Sequence, residues 1–186
     1  MTLDAIRTEI DKIDGKMKEL FIKRMDCAKH VAKVKAQTGG DVYVPKREQE
    51  IIELRSSDID AKIREEYIAF QRHLMSVCRR YEYGLLDDMQ EQVVSEALEE
   101  AGISADEEHR RIKISFLCGY GKSDLGLFVN MANLNRIGIC GLDLKLRDGK
   151  QEVAMTLDGD IHSAGIRRLL CQIGKEAEGF RIVGLY

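Results

Sequence analysis

The 186-residue sequence has no tryptophan, one proline and no run of about eighteen apolar residues such as a membrane-spanning helix needs. Its start, MTLDAIRTEIDKIDGK, mixes acids with bases and holds no apolar block of the kind that directs secretion, so a cytoplasmic protein is expected. Five cysteines, at 27, 78, 118, 140 and 171, form no CxxC pair and leave one over, which argues against a disulfide framework and against zinc. Four histidines, at 30, 73, 109 and 162, make neither HExxH nor a His-x3-His pair, so a metal hydrolase lacks ligands. Each histidine is expected at the surface or at a boundary, and neither a metal nor a cofactor is expected. A formal net charge of −3 supplies no basic field to hold a polyanion, which excludes non-specific nucleic-acid and anionic-membrane binding.

What is present divides into two halves of different pattern. With 44% hydrophobic and 33% charged residues, the chain has material for one medium or two small packed domains. Leu3, Ile6, Ile10, Ile13, Met17 and Leu20 recur at alternating spacings of three and four, a heptad seam. A helix to about residue 37 would be a rod of roughly 50 Å, too one-sided to be stable alone. Thr38-Gly39-Gly40-Asp41 closes it, Pro45 suits the first turn of a short helix through Lys46 to Arg55, and Ser56-Ser57-Asp58 is a second connection. A third helix is predicted from near Ile59, carrying Ile63, Tyr67, Phe70, Leu74, Val77 and Tyr81 and running on through Leu85 and Val93 to a stop at Gly102. Three helices are too few layers to bury two seams in a monomer, so an intertwined dimer is expected.

After a charged connector the period changes. Strands are predicted at Ile112 to Cys118, Ile137 to Leu146, Gln151 to Leu157 and Phe180 to Leu185, and helices at Leu125 to Arg136 and Ser163 to Ala177. Asp148-Gly149 forms a hairpin turn between the middle strands. The βαββαβ order describes a ferredoxin-like α+β sandwich. The expected organisation is an all-α domain at 1–103, a linker at 104–111 and an α+β domain at 112–186.

Arg24 sits where the first seam calls for an apolar residue, and a guanidinium in that slot demands an anion or water. Lys35 lies eleven residues on. That is only about 20° around the helix and roughly 16 Å along it, so the two cations share one face and suit an elongated or doubly charged anion. Arg7 is rotated about 100° from that face and in a dimer would reach the neighbouring chain's pocket, where its planar fork can grip a carboxylate. Taken singly, each of these cations also reads as an ordinary paired or solvated charge.

These residues resemble the all-helical chorismate mutases. The resemblance runs from Ile6-Arg7-x-x-Ile10-Asp11-x-x-Asp14 through Leu20-Phe21-x-x-Arg24 and Val31-Ala32-x-x-Lys35 to Val44-Pro45-x-Arg47-Glu48, and covers roughly the first 85 residues. A Ser-Arg-x-x-Gln pattern of that family aligns with Cys78-Arg79-Arg80-Tyr81-Glu82. The resemblance implies that Arg24 and the other subunit's Arg7 hold the two carboxylates of chorismate, that Lys35 bridges a carboxylate and the enol-ether oxygen, and that Glu48 and the Val44 N–H bind the ring hydroxyl. Arg47 would support that shell. Cys78 stands where serine is usual and is a weaker hydrogen-bonding group. Glu82 stands where glutamine is usual and must be protonated to donate to the ether oxygen, which predicts activity rising toward acidic pH.

Residues 112–186 are similar in layout to ACT domains. Leu125-Gly126-Leu127-Phe128 resembles the turn where such modules admit a ligand, implying Leu125, Gly126 and Leu127 as contacts for an aromatic amino-acid effector. The Glu-Ser-Arg-Pro motif of phenylalanine-sensing prephenate dehydratases has no counterpart here, and the same sandwich also serves as plain dimer contact. The reading is therefore a dimeric chorismate mutase with a possible regulatory module. Two others stay open: an isochorismate-pyruvate lyase on the same scaffold, and a non-catalytic amino-acid sensor.

Overall fold

The computed structural model describes residues 2–106, 108–119 and 124–186. Helix α1, Leu3–Thr38, is 36 residues long, capped by the Thr2 hydroxyl, which accepts from the Ala5 N–H at 3.3 Å. It stops at Gly39, whose φ of 69° is left-handed and whose N–H donates to Lys35 O at 2.8 Å. Only Ala28 and Ala32 are buried, where α1 meets α3 (Arg64–Tyr83). The seam from Leu3 to Leu20 is exposed over its whole length, Leu20 to 64%. Among the described residues nothing in the same chain covers it.

The loop after Gly39 leads into α2, Pro45–Ser56, with Pro45 in its first turn as expected. Helix α3 begins later than predicted because Asp60 turns the chain, its carboxylate accepting from the Lys62 N–H at 2.8 Å and its carbonyl from Ile63 N–H at 3.0 Å. The apolar stripe expected to drive its packing is partly open, with Ile63 58% and Phe70 45% exposed. Its C-terminal turns bury Ser76, Cys78, Arg79 and Glu82 instead.

The predicted long third helix is two helices, so the helical part has four elements rather than three. The chain breaks at Gly84, where Leu85 and Leu86 donate back to Glu82 O and Tyr83 O in a tight turn, and α4 follows at Asp87–Ala101. Gln90 Nε2 also donates to Tyr83 O at 2.8 Å, tying the first turn of α4 back to the end of α3. Tyr83, Leu86, Val93 and Cys171 bury together, and a straight helix could not bring Leu86 and Val93 onto that cluster. Gly102, φ 65°, ends α4 as predicted.

The chain as a whole is not all-helical. Its C-terminal half runs β1 (Arg111–Gly119), α5 (Asp124–Leu134), β2 (Ile139–Arg147), β3 (Lys150–Asp158), α6 (Ala164–Glu176) and β4 (Glu178–Leu185). The sheet order is β2-β3-β1-β4 with every pair antiparallel, the split arrangement compatible with an ACT-like layout. Asp148 (φ 50°) and Gly149 (φ 75°) make the β2–β3 turn. Alternation places Ile112, Ile114 and Phe116 of β1 beside Val153, Met155 and Leu157 of β3, in one core with Ile166, Leu169, Leu170 and Ile173 of α6.

Val94, Ala97 and Leu98 of α4 join that core, so α4 packs on α6 and β4 although it precedes the 104–111 connector. Helix α3 also touches α5 and α6. The helical part and the sheet are thus packed against each other. His109 is buried rather than peripheral, its Nε2 accepting from the Ile161 N–H at 2.9 Å. Among the described residues no helix is long and apolar enough to cross a membrane.

Candidate active site

Residues of α1, α2 and α3 line a cavity of about 330 Å³. Arg24 and Lys35 enter from α1, Arg47 and Glu48 from the first turn of α2, and Cys78 and Glu82 from α3. Val44, the residue before α2, is also on the wall. Ala28, Val31, Ile51 and Met75 supply the apolar part. Eleven residues along α1 is three turns, which is why Arg24 and Lys35 open onto one space.

The polar contacts sort the charges. Arg24 Nη1 donates to Cys78 Sγ at 2.7 Å, and Cys78 Sγ lies 3.6 Å from Met25 Sδ. Lys35 Nζ donates to Val42 O at 3.0 Å and to Glu82 Oε2 at 3.3 Å. Glu48 pairs with Arg79 Nη1. Among the described residues neither Arg24 nor Arg47 has a carboxylate partner, so the cavity retains positive charge for an anion. Burial pushes the Glu82 carboxyl above the usual carboxylate range, and Lys35 with Arg79 and Arg24 offsets only part of that. Burial likewise raises the Cys78 thiol, with Arg24 acting the other way, so it is a neutral group rather than a nucleophile.

Arg7 is not on this wall. It sits on the exposed part of α1, 3.6 Å from Asp4, with 67% of its side chain open. Leu125, Gly126 and Leu127 form the first turn of α5. Leu127 borders a second cavity of about 390 Å³ together with Tyr43, Glu48 and Arg79, so the two candidate regions adjoin through Arg79.

Two participants are given no role by the sequence. Arg79, inside the aligned Cys78 to Glu82 segment, is 7% exposed, and Glu176, 3% exposed, reaches it from the end of α6. A buried arginine within an amphipathic helix carries the same pattern as a surface one, and Glu176 lies 97 residues away in sequence. A larger groove of about 690 Å³ lies by the sheet, near Ser115, Leu117 and Gly179. Arg147, Lys150 and Arg181 face Glu100, Asp148 and Glu152 there, which leaves no charge preference.

Residues 6–83 match the family model described as Chorismate mutase type II, a span from the first turns of α1 to the last residue of α3. The bifunctional chorismate mutase/prephenate dehydratase of Pseudomonas aeruginosa is 37% identical over 92 residues, 45% of this chain and 24% of that protein. The T-protein of Haemophilus influenzae is 40% identical over 53 residues, 28% of this chain and 14% of that protein. The T-protein of Enterobacter agglomerans is 34% identical over 59 residues, 32% and 16% of the two chains. The chain therefore spans 24% or less of the length of these curated relatives. No solved structure matches it.

Proposed function

We propose, from a chorismate mutase type II domain at residues 6–83, that the protein rearranges chorismate to prephenate as a step of aromatic amino-acid biosynthesis. The observation that carries this reading is the pair of α1 cations, Arg24 and Lys35, opening on one small cavity that retains positive charge. A Claisen rearrangement needs no nucleophile and no proton shuttle; it needs the compact conformer held and cations where the ether oxygen gains negative charge. Arg24 and the partner subunit's Arg7 hold the substrate carboxylates. Lys35 lies against a carboxylate and the ether oxygen, while Glu48 and the Val44 N–H take the ring hydroxyl and Arg47 supports them. Cys78 borders a carboxylate, and protonated Glu82 donates to the ether oxygen.

The proposed protein is a cytoplasmic homodimer, paired through the apolar seam of α1 that one chain leaves open. Its domains are 1–103 and 112–186 joined by 104–111. An aromatic amino acid bound at Leu125, Gly126 and Leu127 would act as effector, supported by the adjacency of Leu127 to Tyr43 and Arg79. The test is loss of chorismate absorbance with purified protein from about pH 5 to 8, with and without phenylalanine, tyrosine and tryptophan. Turnover of isochorismate but not chorismate would replace the mutase with a lyase. Turnover of neither would leave a sensor.

A further inference from the structure

The Arg79 guanidinium has every one of its nitrogens engaged, and not all by the domain that carries it. Nε and Nη2 grip Glu176 Oε1 and Oε2 at 2.7 Å each, a bidentate fork, while Nη1 pairs with Glu48. The guanidinium carbon lies 4.6 Å from the centre of the Tyr43 ring, which covers one face. Glu176 is the last residue of α6, outside the 330 Å³ cavity, and it also accepts from Gln172 Nε2 at 3.0 Å. Gln172 Nε2 in turn donates to Ser76 O at 3.3 Å, tying α6 to α3 beside the fork.

We infer that Glu176, through Arg79, is a positioning residue for Glu48, so that the C-terminal half completes the candidate active site. A fork bound to one carboxylate fixes the plane of a guanidinium and with it the directions of the three remaining N–H bonds, of which one on Nη1 reaches Glu48. That direction places Glu48. Without the Glu176 carboxylate, Arg79 is free to turn its fork onto Glu48 or toward the cavity, and either motion relocates the Glu48 oxygens. The charge count points the same way: one cation serves two carboxylates, so each acid governs how strongly Arg79 holds the other. A C-terminal half that acted only as a separate sensor would have no reason to place a buried acid in this contact.

This inference rests on the proposed mutase reading for its kinetic arm alone. In the first arm, the stabilities of wild type, Glu176→Gln, Glu48→Gln and the double variant are compared by urea unfolding without substrate. Removing both acids strands a buried guanidinium, so the double variant should lose at least about tenfold more in the folding equilibrium than the two single losses combined. In an Arg79→Met background that excess should vanish. Additive losses would overturn the proposal.

In the second arm, Glu176→Gln should lower kcat/KM on chorismate roughly tenfold with the melting temperature nearly held, since a supporting contact typically tunes a site by that order. Unchanged kinetics in a folded Glu176→Gln protein also overturns it. Should that variant not fold, Arg79→Lys replaces it: one ammonium cannot span both carboxylates as the fork does, so the same loss is expected and normal turnover refutes. A wild type inactive on chorismate defeats the mutase reading, while the unfolding arm still decides the link.

Discussion

Lys35 Nζ and Glu82 Oε2 stand 3.3 Å apart across the gap between α1 and α3, so an acid half-occupies the cation that the proposed reaction uses on the ether oxygen. Burial holds the Glu82 carboxyl above its usual range. Protonating it does two things at once: it releases Lys35 and creates a donor. Activity is therefore expected to fall as pH rises through the raised Glu82 value, and Glu82→Gln should flatten the profile and exceed wild type at about pH 8 by roughly tenfold. A pH–rate series on both proteins checks this, and a wild-type profile already flat would remove Glu82 from the chemistry.

The same shift carries a sign for stability. Because folding raises the carboxyl pKa, the folded protein keeps its proton longer than the unfolded chain. That contribution is complete below the ordinary carboxylate range and is lost as pH climbs through the raised value of Glu82. Urea midpoints should thus decline across that window, and less steeply in Glu82→Gln. An increase there would contradict the assignment.

Arg7 faces away from the cavity of its own chain. If each pocket takes Arg7 from one subunit and Arg24 from the other, Arg7→Ala and Arg24→Ala homodimers are both nearly inactive. Unfolding and refolding them together should restore roughly a quarter of wild-type activity, since half the dimers are mixed and each has one intact pocket. Well-formed mixed dimers with no activity would place both arginines in one chain's pocket.

The open seam of α1 gives a separate expectation. Ile13, 48% exposed in the single chain, should be buried by a second copy, and burial of such a side chain is worth about 1.5–3 kcal/mol. Ile13→Asp should shift the protein from dimer to monomer in light scattering and abolish turnover together. A dimer that survives Ile13→Asp must be held elsewhere.

Cys78 Sγ accepts from Arg24 but is a poor donor toward a carboxylate. Cys78→Ser keeps the size and restores a strong hydroxyl, so kcat/KM on chorismate should rise severalfold, read by initial rates at fixed pH. A lower value would mean that the thiol serves packing against Met25 rather than the substrate.

The local pattern by itself determined a great deal. The seam from Leu3 to Leu20, Pro45 at a helix start, Gly102 at a helix stop and Asp148-Gly149 at a hairpin each express a short-range preference, and period and turn chemistry are written in neighbouring residues. The approach of Arg24 and Lys35 to one face is helix geometry as well. What only the tertiary structure decided are the contacts whose partners lie far apart in sequence. Apolar spacing runs on past Gly84, yet the helix breaks there because Leu86 and Val93 find a burial site on α6 that no local rule contains. Arg79 looks like any charge on an amphipathic helix until Glu176 arrives from the far end of the chain, and a guanidinium is tolerated in that interior only because folding brings its anions to it.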